Sequence, residues 1–276
     1  MPHVQRTIKP SRANLIQGLK DDVGPEALRT LDPETSISHG LPPVPGSSTA
    51  KLESYPCTSQ KPTPTVITGS TSAAALQVGY GGKIPRWKTG PGKTINYAVL
   101  KEGYPKPELA SLAATKLHEA ANEWNKLDLG VQFHWVSELE DAAFVLTYAN
   151  SIGTSTLAEA FFPNDLDLNY LNVYSAAFKP GAVQFLKNIF LHELGHVLGL
   201  RHEFAPEMES GGTNLKSVQI GPRDPTSVMA YEFPPQIQDT DIKSTQAFYR
   251  FPGERLGVYQ RGVDQPLRIV DFDANN

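Results

Sequence analysis

Apolar positions along residues 86–252 recur with the two periods expected of a mixed fold. Ile95, Tyr97 and Val99 alternate with Asn96 and Ala98, which predicts a strand over 94–100. Leu109, Leu112, Ala113, Leu117, Ala120, Trp124 and Leu127 then follow at helical spacing. They predict a helix over 107–127 with one buried stripe, Pro107 in its first turn and Gly130 as its stop. The β-branched and aromatic runs 131–136 and 143–149 read as strands, and 171–178 as another. Over 181–198 the apolar residues Phe185, Leu186, Ile189, Phe190, Leu194, Val197 and Leu198 cover a wide face, as in a helix packed under a sheet. A last helix is predicted over 240–249, with Thr240 as N-cap and Asp241 in its first turn. The expected fold class is α/β (α+β) around one central sheet.

Residues 1–85 differ in character. They hold eleven of the 23 prolines, many Ser and Thr, and only Tyr55 and Tyr80 as aromatic residues. Such a segment buries little core, so 1–85 is expected to be an extended, low-order or pro-like region. A folded domain is expected over 86–252 and a C-terminal tail over 253–276. No internal repeat is present.

Composition narrows the function. The 25 basic and 29 acidic residues give a net charge of −4. No Lys/Arg block with interleaved aromatics offers a footprint for nucleic acid. The single cysteine, Cys57, excludes an internal disulfide framework and a Cys-x-x-Cys site. The first residues lack the apolar run of a secretory signal, and no stretch approaches the ~18 apolar residues of a membrane span. An intracellular or non-classically exported chain is expected on that reading, or a secreted one if a signal has been removed. The sequence Gly90-Pro91-Gly92-Lys93-Thr94 resembles the end of a phosphate loop, but Trp87 stands where such a loop requires Gly, so it reads as a turn.

The chemistry concentrates in His192-Glu193-Leu194-Gly195-His196-Val197-Leu198-Gly199-Leu200-Arg201-His202-Glu203. On a helix His192 and His196 lie about 40° apart, so both imidazoles reach one ion. Continuing the helix would turn His202 roughly 240° further and carry it about 9 Å along the axis, out of reach. Gly199 resolves this, because glycine accepts the left-handed backbone that ends a helix and lets the chain return. Three neutral imidazoles with one position left open match the ligand count of a catalytic zinc site. Glu193 follows the first ligand and is placed to take a proton from water there. A lone HExxH arises on many polar helices. Three of seven histidines within eleven residues, on an apolar helix where an unpaired imidazole is costly, favour metal binding.

This extended motif, followed by Ser227-Val228-Met229-Ala230-Tyr231, resembles the signature of metzincin zinc endopeptidases, with Met229 as the floor beneath the ligands. The resemblance implies a metzincin-like catalytic domain: a twisted, mostly parallel sheet, a long helix and an active-site helix. Tyr231, two residues after the Met, is similar to the tyrosine of astacins and serralysins that ligates zinc reversibly and then stabilises the transition state. Glu203 also resembles astacins, in which it contacts the mature N-terminus or its surroundings. Upstream, Arg86-Trp87, the helix ending in Trp124, and Leu157-Ala158-Glu159-Ala160-Phe161-Phe162-Pro163 resemble matrixin segments. The last of these implies an edge strand that pairs with substrate backbone. Glu159 stands where matrixins carry a histidine for a structural zinc, and His118 and His134 are too few to rebuild that site.

The expected protein is therefore a zinc-dependent endopeptidase. Its expected metal ligands are His192, His196 and His202, its catalytic residues Glu193 and Tyr231, and its cofactor Zn²⁺. Its expected partner is a protein or peptide substrate, with no nucleic acid and no membrane, and the chain is expected to be a monomer. A zinc-stabilised peptide-binding module without turnover and a non-peptidase zinc amidohydrolase are the alternatives. Two further features bear on regulation and metals. Cys57 is the one upstream residue able to offer a thiolate to the open position, although the Gly and Asp of a matrixin cysteine switch are missing. Asp165 and Asp167 could bind calcium only together with backbone carbonyls, since it needs six to eight oxygens, and two loop carboxylates are more often solvated.

Overall fold

A computed structural model describes residues 12–23, 30–35, 76–79, 82–150, 155–203, 217–257 and 266–275. Its centre is a five-stranded sheet built from β3 (Thr94–Val99), β4 (Gln132–Trp135), β5 (Phe144–Ala149), β6 (Ala158–Glu159) and β7 (Asn169–Tyr174). The order is β4-β3-β5-β7-β6. Every pairing is parallel except that of β6 with β7, which is antiparallel and lies at the end of the sheet. The mixed α/β class and the parallel-rich sheet agree with the expectation. Among the described residues no helix is long and apolar enough to cross a membrane.

Two helices cover one face. The first, α2 (Pro107–Asn125), buries Ala110, Leu112, Ala113, Leu117, Ala120, Ala121 and Trp124. It follows α1 (Arg12–Val23) in chain order and opens with proline, whose missing N–H costs nothing at that place. Past Asn125 the bonding tightens, with Leu127 N on Trp124 O and Asp128 N on Asn125 O, and Asp128 turns to φ +49°, which ends the helix. The Asn125 side chain bridges β4, donating to Phe133 O at 2.9 Å and accepting from Phe133 N at 2.8 Å. The second is α3 (Leu186–Val197), in which every residue from Ile189 onward is buried. The indole of Trp124 ties the two together by donating to Leu191 O at 3.0 Å.

Differences from the pattern have local causes. The strand expected over 171–178 ends at Tyr174, and a 3₁₀ turn follows over Ser175–Phe178. Alternate burial runs through Tyr174, but Ala176 and Ala177 are buried consecutively, which a period of two cannot sustain. The first turn of the expected 181–198 helix is likewise 3₁₀, over Val183–Phe185. The last helix, α4 (Asp239–Arg250), is capped by Gln238 rather than Thr240. The Asp241 carboxylate reaches back to Gln238 N at 2.9 Å and closes a capping box, starting the helix earlier.

The packed body extends past residues 86–252 on both sides. Upstream, β1 (Gln77–Val78) and β2 (Lys83–Trp87) are strands, and Leu76, Val78 and Ile84 belong to the main core. Downstream, β11 (Leu267–Phe272) pairs in parallel with β2 and antiparallel with β10 (Arg255–Leu256). Ile16 of α1 packs with Ala98, Leu100, Leu139, Ala142, Val145 and Leu168 in a second cluster, and Leu31 N donates to Val99 O at 2.9 Å.

Arg86 joins these additions to α4. Its guanidinium forks onto Asp271 at 2.7 and 3.1 Å and donates to Phe248 O and Phe251 O at 2.9 and 3.0 Å. A compact ammonium cannot satisfy that set of acceptors. Arg86→Ala should cost about 2–3 kcal/mol of stability by chemical denaturation, because buried carbonyls lose charge-assisted donors. Arg86→Lys should recover less than half of that loss.

Candidate metal centre

The motif helix ends where glycine permits it. Leu198 N donates to Leu194 O and Gly199 N to His196 O, and Gly199 takes φ +90°. The carbonyls left over at that end are not stranded: Trp87 Nε1 donates to Val197 O at 2.7 Å and the Tyr249 hydroxyl to Leu198 O at 3.0 Å. The chain then forms β8 (Leu200–Arg201) and arrives at His202.

The turn brings three imidazoles together. His192 and His196 ring centroids are 4.8 Å apart, and His202 lies 5.1 and 4.8 Å from them. One nitrogen from each ring lies within 4.8 Å of the others, and all three side chains are fully buried. His192 Nε2 and His202 Nε2 are 3.1 Å apart.

The outer nitrogens determine the tautomers. His192 Nδ1 is 2.8 Å from Val228 O, and His196 Nδ1 is 2.8 Å from Leu200 O. A carbonyl only accepts, so both Nδ1 atoms carry hydrogen and both Nε2 atoms present lone pairs inward. Burial, reinforced by the neighbouring imidazoles, holds both groups well below the ordinary histidine range, so they stay neutral. His202 Nδ1 pairs instead with the Tyr231 hydroxyl at 3.0 Å. A buried set of inward lone pairs with fixed outer partners is the donor chemistry of a zinc site.

Glu193 is fully buried beside His192 on α3. Its charge is among the influences that push the Tyr174 phenol up to about 12, after burial and the Glu159 carboxylate, which the phenol contacts at 2.8 Å. Tyr174 and Glu159 belong to β7 and β6, at the end of the sheet. Phe162, just beyond β6, meets the His196 ring edge-on at 5.5 Å, so this sheet edge borders the histidine cluster.

The floor is the 227–231 turn. Met229 is fully buried, and a methyl group at Gly195 would overlap its sulfur, which explains a glycine inside the helix between the two histidines. Asp241 holds the turn from α4, accepting from Ser227 Oγ at 2.6 Å and Val228 N at 2.8 Å. Ser227 Oγ in turn accepts from Met229 N at 3.0 Å. Sequence reasoning treated Asp241 only as an acid in a first helical turn and did not single out Gly195. The capping-box spacing of Gln238 and Asp241 was the available signal for the first.

Glu203 lies next to the site with its backbone N–H on Met229 O at 3.1 Å and its carboxylate on Asp224 N. Burial pushes the carboxyl up to about 7, and Oε2 has no hydrogen-bond partner among the described residues. Cys57 lies outside the described residues. Asp165 and Asp167 join no cluster of three potential metal ligands among the described residues.

The chain Asp241–Val228–His192 predicts a remote effect on the metal. Asp241→Ala should strip two donors of the turn of their acceptor and lower stability by about 2–3 kcal/mol. It should also weaken zinc binding roughly 10- to 100-fold, the usual effect of losing a partner behind a ligand. Zinc titration against a chromophoric chelator measures the second effect, and unchanged affinity would separate the turn from the ligand.

Residues 96–218 match the family described as dual-action HEIGH metallo-peptidase. The matched span runs from β3 through His202 and ends before Met229, and its motif in this chain reads His-Glu-Leu-Gly-His, with Leu194 where the family's motif has Ile. No curated protein matches the chain. The family match and the three buried histidines together support a zinc metallopeptidase acting on protein or peptide substrates.

Proposed function

We propose that the chain is a zinc-dependent endopeptidase in which His192, His196 and His202 hold the ion and Glu193 is the general base. The observation that carries this reading is the convergence of three buried imidazoles, two of them fixed by backbone carbonyls in the tautomer that aims Nε2 inward. When bound, zinc supplies Lewis acidity toward a peptide carbonyl and lowers the pKa of a water molecule. The remaining work falls to the protein. Glu193 accepts the proton of the attacking water and returns it to the departing amine, a role suited to a carboxylate that follows a ligand on the same helix.

Tyr231 has a place in this scheme that its hydrogen bond clarifies. If His202 presents Nε2 inward, its Nδ1 carries hydrogen and donates to the phenol oxygen. The phenol then keeps its own hydrogen to donate to a developing oxyanion. One residue thus orients a ligand and stabilises the transition state. Substrate is proposed to lie extended along β6, as in β-strand addition. The astacin-like character of the site rests on Tyr231 and Glu203.

The purified chain should cleave an unstructured protein, and a chelator should abolish cleavage while zinc restores it. A binding module without turnover predicts no cleavage, and an amidohydrolase predicts activity on small amides only. Glu193→Ala should retain stoichiometric zinc while hydrolysis collapses, whereas His202→Ala should lose both. Turnover of the Glu193 variant near the parent rate, or full zinc occupancy of the His202 variant, overturns the respective assignment. In Tyr231→Phe, kcat should fall by about 10²–10³ with KM little changed and zinc still bound at saturation.

A further inference from the structure

We infer that the upstream strand β1 is part of the metal centre, so that its seating and zinc binding are energetically coupled. This rests on the zinc reading above. The strand is the middle member of a three-stranded sheet whose order is β8-β1-β9, with β9 spanning Val218–Gln219. Gln77 and Val78 pair antiparallel with Arg201 and Leu200 on one side and with Gln219 and Val218 on the other. Each neighbour leads to the site. Strand β8 is the two-residue link from Gly199 to His202, and β9 precedes the 227–231 turn.

The coupling has specific atoms. Leu200, the partner of Val78, supplies the carbonyl that fixes His196 Nδ1 at 2.8 Å. Arg201, the partner of Gln77, is fully buried and donates from Nη1 to Gly79 O at 3.1 Å. On the other flank Ile220 N donates to Leu76 O at 2.9 Å. Leu76 and Val78 are 3% and 0% exposed, so the strand is held by the core as well as by its pairing. In this sheet β8 and β9 meet only through β1. Without the strand, the backbone beside the second and third histidines loses its ladder, and the ligand geometry loses its support. By linkage, an ion that requires this geometry must stabilise the seated strand to the same extent.

A second anchor of the upstream chain supplies a control. Ile16 of α1 packs in a separate cluster with Ala98, Leu100 and Leu139, which shares no member with the core cluster that holds Val78, Leu200 and Met229. Its removal should leave the metal centre intact.

The experiment titrates zinc into the full chain against a chromophoric chelator, comparing the parent with Val78→Asp, Val78→Ala and Ile16→Asp. Near-ultraviolet circular dichroism on the metal-free proteins reports whether each variant is folded. Burying a carboxylate at Val78 should weaken zinc binding at least tenfold, Val78→Ala should weaken it less, and Ile16→Asp should leave it within twofold. A second measurement needs no substitution: amide exchange at residues 76–79 of the parent should slow when zinc is added, while exchange at 12–23 and 30–35 stays unchanged. Parent-like affinity in folded Val78→Asp, equal weakening by Ile16→Asp, or zinc-independent exchange at 76–79 overturns the coupling while leaving the zinc reading standing. A parent chain that binds no zinc overturns both.

Discussion

A straight helix can aim two side chains at one point, four residues apart, but never a third six residues further on. Much of the arrangement around α3 follows from that constraint. The helix must stop between Leu198 and Leu200, and only a residue at φ +90° lets it stop that abruptly, so Gly199 stands there. Ending a helix inside a core strands its last carbonyls, and Trp87 and Tyr249 are positioned to serve them. The short return through β8 then brings His202 back to the two helical imidazoles.

Convergence alone would be unstable, because three buried imidazoles carry three outer nitrogens that also need partners. Each finds one: Val228 for His192, Leu200 for His196, and Tyr231 for His202. The first and third lie on one turn, which Asp241 holds from α4, while Met229 fills the space that Gly195 leaves open. The turn therefore acts as both floor and hydrogen-bond scaffold. The Asp241 carboxylate on α4 is linked to His192 by that route, through Val228.

Chain outside the 86–252 span completes the same body. Arg86 links β2, β11 and the end of α4, and β1 stands between the strand leading to His202 and the strand leading to the 227–231 turn. A centre whose ligands come from one short motif thus depends on residues more than a hundred positions upstream.

Reading the chain in order was enough for the elements with strong periodicity. The 94–100 strand, the 107–127 helix and the histidine helix appear within a few residues of their expected places because their apolar spacing admits one fold-facing side. The convergence of His192, His196 and His202 was likewise legible from spacing, since helical geometry and one glycine leave little freedom. The strand expected over 171–178 stops at Tyr174, because Ala176 and Ala177, compatible with a strand by residue type, are buried together. What only the tertiary structure decided is who serves the outer nitrogens, why Gly195 is glycine, and that 76–79 and 267–272 belong to the packed body. Those are contacts between segments far apart in sequence. A two-residue strand has no periodicity to read, and a carboxylate's partners depend on where the fold sets it, so neither leaves a local signature.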